Sequence, residues 1–149
     1  MSYLVDTNVI LRFFNLSDKR NAEVVSAMDA ITSAGEDTFV CAQVFIEYWV
    51  VATRPIDVNG LELTALEADR NLGEFEKLCA CLPEPSDMAL RWRTLVRKYT
   101  VTGKQAHDAR IAAFMIAHGI THLVTLNPSD FARYPEITTV IPAEIVSNK

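Results

Sequence analysis

The feature that most constrains this chain is the repeated alternation of short apolar runs with amphipathic helical stretches along its 149 residues. Tyr3-Leu4-Val5 is an apolar run of strand length that stops at Asp6. Thr7 to Phe14 follows, with Val9, Ile10, Phe13 and Phe14 on one helical stripe. Ser17 or Asp18 can cap a second helix, in which Val24, Val25, Met28 and Ile31 recur at helical spacing until Gly35. Thr38 to Cys41 reads as a second strand and Gln43 to Thr53 as a third helix. Beyond a loop punctuated by Pro55 and Gly60, the series Ala68, Leu72, Phe75, Cys79 and Leu82 has the stepping of an amphipathic helix running to Leu82. Pro83-Glu84-Pro85 breaks it, and Ser86 can cap the next, whose inner face carries Met88, Trp92, Leu95, Val96 and Tyr99. Gly103 opens a helix that holds Asp108 and closes at His118-Gly119. His122 to Leu126 and Thr138 to Ile141 read as late strands.

Strands that alternate with helices pair in parallel and need cover on both faces. Right-handed crossovers then give a three-layer α/β/α domain with a short, mostly parallel central sheet, expected as one domain over residues 1–149. Half of the residues are hydrophobic, enough to bury a core in a chain of this size. In such sheets the ligand site lies beyond the carboxyl ends of the strands. Asp6 and Asn127 both fall at such ends.

The net charge of −5 excludes a protein that grips nucleic acid by a global positive field. It is compatible with an enzyme whose carboxylates hold cations, because the metal reverses the local sign. Cys41, Cys79 and Cys81 have neither zinc-ligand nor CxxC spacing and read as core residues of a reducing compartment, with Cys79 facing inward on a helix. The opening segment meets an acid at once and lacks the basic region of a secretory signal. No apolar run approaches the ~20 residues of a membrane span. A soluble, cytoplasmic protein is the expectation. No GxSxG elbow or phosphate-binding glycine loop is present.

Each acid has two readings. Asp6, before Thr7-Asn8, is a helix cap or a metal ligand. Glu47 stands among Val44, Phe45, Ile46, Tyr48, Trp49, Val50 and Val51, a helix apolar nearly all round and hence expected to be buried. A carboxylate there must be paired, protonated or bound to a cation. Gln43 lies one turn earlier on the same face and can orient it. Asp108 is either an acid favoured by the start of its helix or a third member of the group. Asn127 and Asp130 are turn residues, or with Thr125 they complete a cluster at a strand end. Carboxylates gathered without a cation raise one another's pKa values, whereas hard divalent cations favour oxygen ligands and can activate water against a phosphate.

Taken in order and at these intervals, four segments resemble the PIN-domain nucleases, and within them the VapC-type toxins of toxin–antitoxin pairs. They are Leu4-Val5-Asp6-Thr7-Asn8-Val9-Ile10, Phe45-Ile46-Glu47-Tyr48-Trp49, Gly103-Lys104-Gln105-Ala106-His107-Asp108-Ala109-Arg110 and Leu123-Val124-Thr125-Leu126-Asn127-Pro128-Ser129-Asp130-Phe131. The resemblance implies that Asp6, Glu47 and Asp108 are the family's catalytic, metal-holding acids, with one or two Mg2+ or Mn2+ ions and RNA as substrate. The family's fourth acid is matched here by Asn127, an amide, which leaves the fourth ligand open between Asn127 and Asp130. Thr7, Asn8 and Thr125 match supporting polar positions. A homodimer and a small antitoxin partner are implied by the likeness alone.

For the RNA backbone the candidates are Arg93, Arg97 and Lys104, of which Arg93 and Arg97 stand one turn apart, and Arg110, which can instead balance the acids. A solvated helix face is the competing reading. Rival functions are an RNA-processing nuclease of the same family that is not a toxin, and a catalytically silent α/β interaction domain. A receiver-like domain needs an acidic pair after the first strand, and Asp6 has no acidic neighbour.

Overall fold

A computed structural model describes residues 1–148. Five parallel strands form one sheet: β1 (Ser2–Val5), β2 (Asp37–Val40), β3 (Ala80–Cys81), β4 (His122–Val124) and β5 (Thr138–Val140), in the order β3-β2-β1-β4-β5. Helices α1 (Thr7–Phe14), α2 (Asn21–Ser33), α3 (Ala42–Thr53), α4 (Ala65–Glu76), α5 (Met88–Lys98), α6 (Gln105–His118) and α7 (Pro142–Ser147) join and flank them. This is the expected mixed α/β architecture with an all-parallel centre.

The apolar run at the start becomes the central strand because a strand covered on both faces has no place for a polar side chain. Leu4 and Val5 are wholly buried. From β1 the chain first builds outward through β2 and β3, then crosses back to β4 and β5. The reversal falls between β1 and β4, the place where ligand sites of open parallel sheets form. Register aligns Val5 with Val124, so Asp6 and Thr125 leave the sheet side by side. The Asp6 amide donates to the Val124 carbonyl at 3.0 Å and carries the pairing one residue further.

Several expectations are corrected. The helix read as running to Leu82 stops at Glu76, and Ala80–Cys81 is an edge strand paired to Phe39 and Val40. Cys41 and Cys79 are buried as expected, Cys79 from the turn after α4 and not from a helix, whereas Cys81, expected in the core, is exposed on the edge strand. The apolar rhythm runs on because Cys79 in the turn is buried and Leu82, just past the exposed strand, is half-buried, so the spacing persists without a helix. Neither Ser17 nor Asp18 caps α2: the Asp18 side chain accepts from the Arg20 amide at 2.8 Å in a turn before the helix. Asp87, not Ser86, precedes α5, and α6 begins two residues after Gly103. Helix α7, which no sequence signal singles out, packs along α2. Helix α3 is not buried all round, since Ile46 and Val50 are 60% and 53% exposed. Its inner face, with Val44, Tyr48 and Ala52, fills the core, and the outer Ile46 and Val50 have no cover among the described residues. Among the described residues no helix is long and apolar enough to cross a membrane.

Candidate active site

The site forms where β1, β4, α1, α3 and α6 meet. Asp6 ends β1 and caps α1, so its carboxylate is placed by both elements. One oxygen accepts from the Thr7 amide at 2.8 Å; the other accepts from the Thr125 hydroxyl at 2.8 Å and the Asn8 side-chain amide at 3.3 Å. The two readings of Asp6 are therefore compatible: it is a cap and it also faces the site. Asn8 bridges further, since its oxygen accepts from the Leu126 amide at 3.0 Å. Thr125, fully buried, also receives the Asn127 amide at 3.1 Å. The end of β1 and the end of β4 are thus stitched together by side chains.

Glu47 is half-buried, not enclosed. Its oxygens accept from the Thr7 hydroxyl at 2.9 Å and from the Gln43 amide at 2.9 Å. Asp108, in the first turn of α6, is also half-buried. Burial pushes its carboxyl up to about 6, with Asp130, Asp6 and Glu47 adding repulsion and His107 opposing. Burial likewise raises Asp6; Thr125 and Thr7 counter this, and Glu47 and Asp130 add to it. The four acids therefore share one electrostatic environment, although they come from remote parts of the chain.

No Lys or Arg forms an ion pair with Asp6, Glu47, Asp108 or Asp130 among the described residues. Neutral donors hold Asp6 and Glu47, so hydrogen bonding orients the carboxylates without cancelling their charge. Arg110, expected as a candidate counter-charge, turns instead to Glu84, with Nε at 2.9 Å. Among the described residues no three His, Cys, Asp or Glu side chains close on one point tightly enough to clasp an ion directly. The donor set is all oxygen and anionic. It fits a cation such as Mg2+, which keeps several waters and takes only one or two carboxylates in direct contact. Asn127 is exposed and offers the cluster its backbone amide, while Asp130, on a 3-10 turn (Pro128–Phe131), brings the charge.

Gln43 is legible in the sequence only as a neighbour of Glu47; its second bond, to the His107 carbonyl at 2.8 Å, joins α3 to α6 and has no local signal. Arg93, Arg97 and Lys104 lie on and after α5, exposed. The Trp92 indole donates to the Ala106 carbonyl at 2.8 Å and pins α5 to the first turn of α6, close in sequence to Asp108.

A helix-capping acid at the end of a central parallel strand, with further acids from two later helices, is a donor set suited to a hard divalent cation. The PIN-domain profile matches residues 3–137, and the chain belongs to that family. PIN-domain nucleases generally use divalent metal ions. Solved structures similar to this chain include VapBC-1 from nontypeable Haemophilus influenzae, at TM-score 0.69 and 15% identity over 95% of this chain and 98% of that one. FitAcB from Neisseria gonorrhoeae aligns at TM-score 0.67 and 20% identity, covering 94% and 97%. VapC20 of Mycobacterium tuberculosis, described as a sarcin–ricin loop cleaving toxin, aligns at TM-score 0.64 and 16% identity, covering 89% and 95%. No curated protein matches the sequence.

Proposed function

We propose that this protein is a Mg2+- or Mn2+-dependent endoribonuclease and the toxin of a type II toxin–antitoxin pair. The observation that carries the reading is the meeting of Asp6, Glu47, Asp108 and Asp130 in one field, with no cationic side chain paired to any of them among the described residues. Uncompensated acids cost stability, and a chain that keeps them has another use for the charge. Membership of the PIN family supplies that use.

In this reading Asp6, Glu47 and Asp108 bind one or two cations through oxygen. Asp130 is favoured over Asn127 as the fourth donor, because its charge acts on both Asp6 and Asp108. A bound divalent ion supplies water activation and offsets charge on the phosphate oxygens. Thr7, Asn8 and Thr125 keep the carboxylates aimed and themselves bring no charge.

RNA is supported by a local reversal of charge. From Met88 to His107 the chain has Arg91, Arg93, Arg97, Lys98 and Lys104 and no Asp or Glu, within a protein of net charge −5. Arg93, Arg97 and Lys104 form no ion pair among the described residues and are the proposed backbone contacts, whereas Arg110 is engaged by Glu84. The toxin assignment rests on the likeness to a toxin–antitoxin complex from Klebsiella pneumoniae and to VapC20, described as a cleaving toxin. By the same likeness the protein pairs with a small antitoxin and forms a homodimer.

Purified protein should cut RNA with Mg2+ or Mn2+ and stop with chelator. Asp6→Asn should retain its fold and lose at least ~100-fold in rate. Cleavage by Asp6→Asn at the wild-type rate would leave an interaction domain as the better reading.

A further inference from the structure

Gln43 occupies an unusual position. It is 6% exposed, on the first turn of α3, and its side-chain nitrogen donates to Glu47 at 2.9 Å and to the His107 carbonyl at 2.8 Å. Both partners are acceptors, so chemistry fixes which end of the amide is nitrogen. The other end is left without support: the Gln43 oxygen is buried and has no hydrogen-bond partner among the described residues. The gap lined by Gln43, Cys41, Ala42, Glu84, Arg110 and Phe114 measures only about 10 Å3.

A buried unpaired oxygen is costly, and stability alone would favour an apolar residue of the same shape. The His107 carbonyl does not need Gln43, since a carbonyl in the first turn of a helix already accepts from the residue four places on. Glu47 is half-buried and can be served by water. What the amide uniquely provides is a rigid tie between the Glu47 carboxylate and the residue before Asp108.

We infer that Gln43 is a positioning residue, a strap from α3 to α6 that sets Glu47 relative to Asp108 for cation binding. The inference rests on the nuclease reading and names a residue outside the acids themselves. Thr7 holds the other Glu47 oxygen from α1, so Glu47 is aimed from two sides. Removing one side lets the carboxylate turn away without unfolding the helix that bears it.

The test is Gln43→Met, which keeps length and apolar bulk and deletes both donors together with the orphaned oxygen. Its urea midpoint should equal or exceed that of the wild type. Mn2+ affinity, read by electron paramagnetic resonance on protein without RNA, should fall by ~10–100-fold, the usual cost of losing a partner of a metal-holding group. In cleavage, kcat should fall with KM for RNA little changed. Unchanged Mn2+ affinity in a folded Gln43→Met overturns the inference, and so does a loss of affinity that only follows a loss of stability. Should Gln43→Met not fold, Gln43→Asn keeps the amide but is too short to reach both acceptors, and the same readouts apply. Wild-type protein that binds Mn2+ and cuts RNA while Gln43→Met does so equally well removes only the strap. Wild-type protein that does neither removes the nuclease reading and the strap with it.

Discussion

Thr125 shows how much of the site depends on one uncharged atom. Its hydroxyl donates to Asp6 and receives Asn8 and Asn127, all from a fully buried position at the end of β4. Valine has nearly the same shape and no hydroxyl. Thr125→Val therefore leaves the buried Asp6 oxygen with only the weaker Asn8 contact and removes the bond that most opposes the upward pull of burial on that carboxyl. Expected are a loss of about 1–3 kcal/mol in urea denaturation and a fall of ~10–100-fold in RNA cleavage. An unaltered rate in a destabilised Thr125→Val would make the threonine a structural stitch and no more. The order of the motif is legible in the sequence, because Asp6, Thr7 and Asn8 are contiguous and Thr125 follows an apolar strand. The cross-links are not, because Thr7 to Glu47 and Thr125 to Asp6 join residues that only the tertiary fold brings together.

Elements are legible where burial imposes a period and obscure where the chain has to reverse. Strands β1, β2 and β4 declare themselves through apolar residues that the sheet buries completely: Leu4 and Val5, Val40, and Leu123 and Val124. Strand β3 is two exposed residues at a sheet edge and has no such demand on its composition, so the rhythm of α4 carries across it unbroken. The expectation that α3 is buried all round fails for a related reason: apolar residues outside are common, and an all-apolar helix does not say which side lies open. The segment after α3 holds a sharper test. The loop folds back so that Leu61, Leu63 and Glu62 donate to the carbonyls of Val51, Ala52 and Arg54, which the end of the helix would otherwise leave unpaired. Gly60 makes that return possible, since a Cβ there would lie 1.9 Å from the Arg54 oxygen. Gly60→Ala should cost about 1–3 kcal/mol through forced backbone movement. Gly73→Ala, inside α4 where a Cβ meets open space, should instead add about 0.5–1 kcal/mol. Thermal melts of the two variants should move in opposite directions, and a shared direction would contradict this account of the loop.

For the molecule as a whole, the acid group sets a conflict between stability and function that pH exposes. In the unfolded chain the Asp108 carboxyl has its ordinary value of 3.8, and in the folded chain it is held up to about 6. Between those values the folded state keeps a proton that the unfolded state has released. Raising the pH across this window therefore favours unfolding. The contribution of protonated Asp108 is complete below about pH 4 and is lost above about pH 6. Asp6, also raised, acts with the same sign. A side-chain amide at this position cannot ionise, so in chelator Asp108→Asn should match wild type at about pH 4 and melt above it at about pH 7.5. Saturating Mn2+ reverses the order at the higher pH, because a cation that binds the folded state alone stabilises it by mass action, and the variant has lost part of its site. The measurement is the difference in Tm between wild type and Asp108→Asn, with chelator and with Mn2+, across roughly pH 4–8. A difference independent of pH in chelator would mean that neither burial nor the neighbouring acids hold the Asp108 carboxyl up. The fold would then lose its reason to need a metal, because stability lost by assembling uncompensated carboxylates is what cation binding restores.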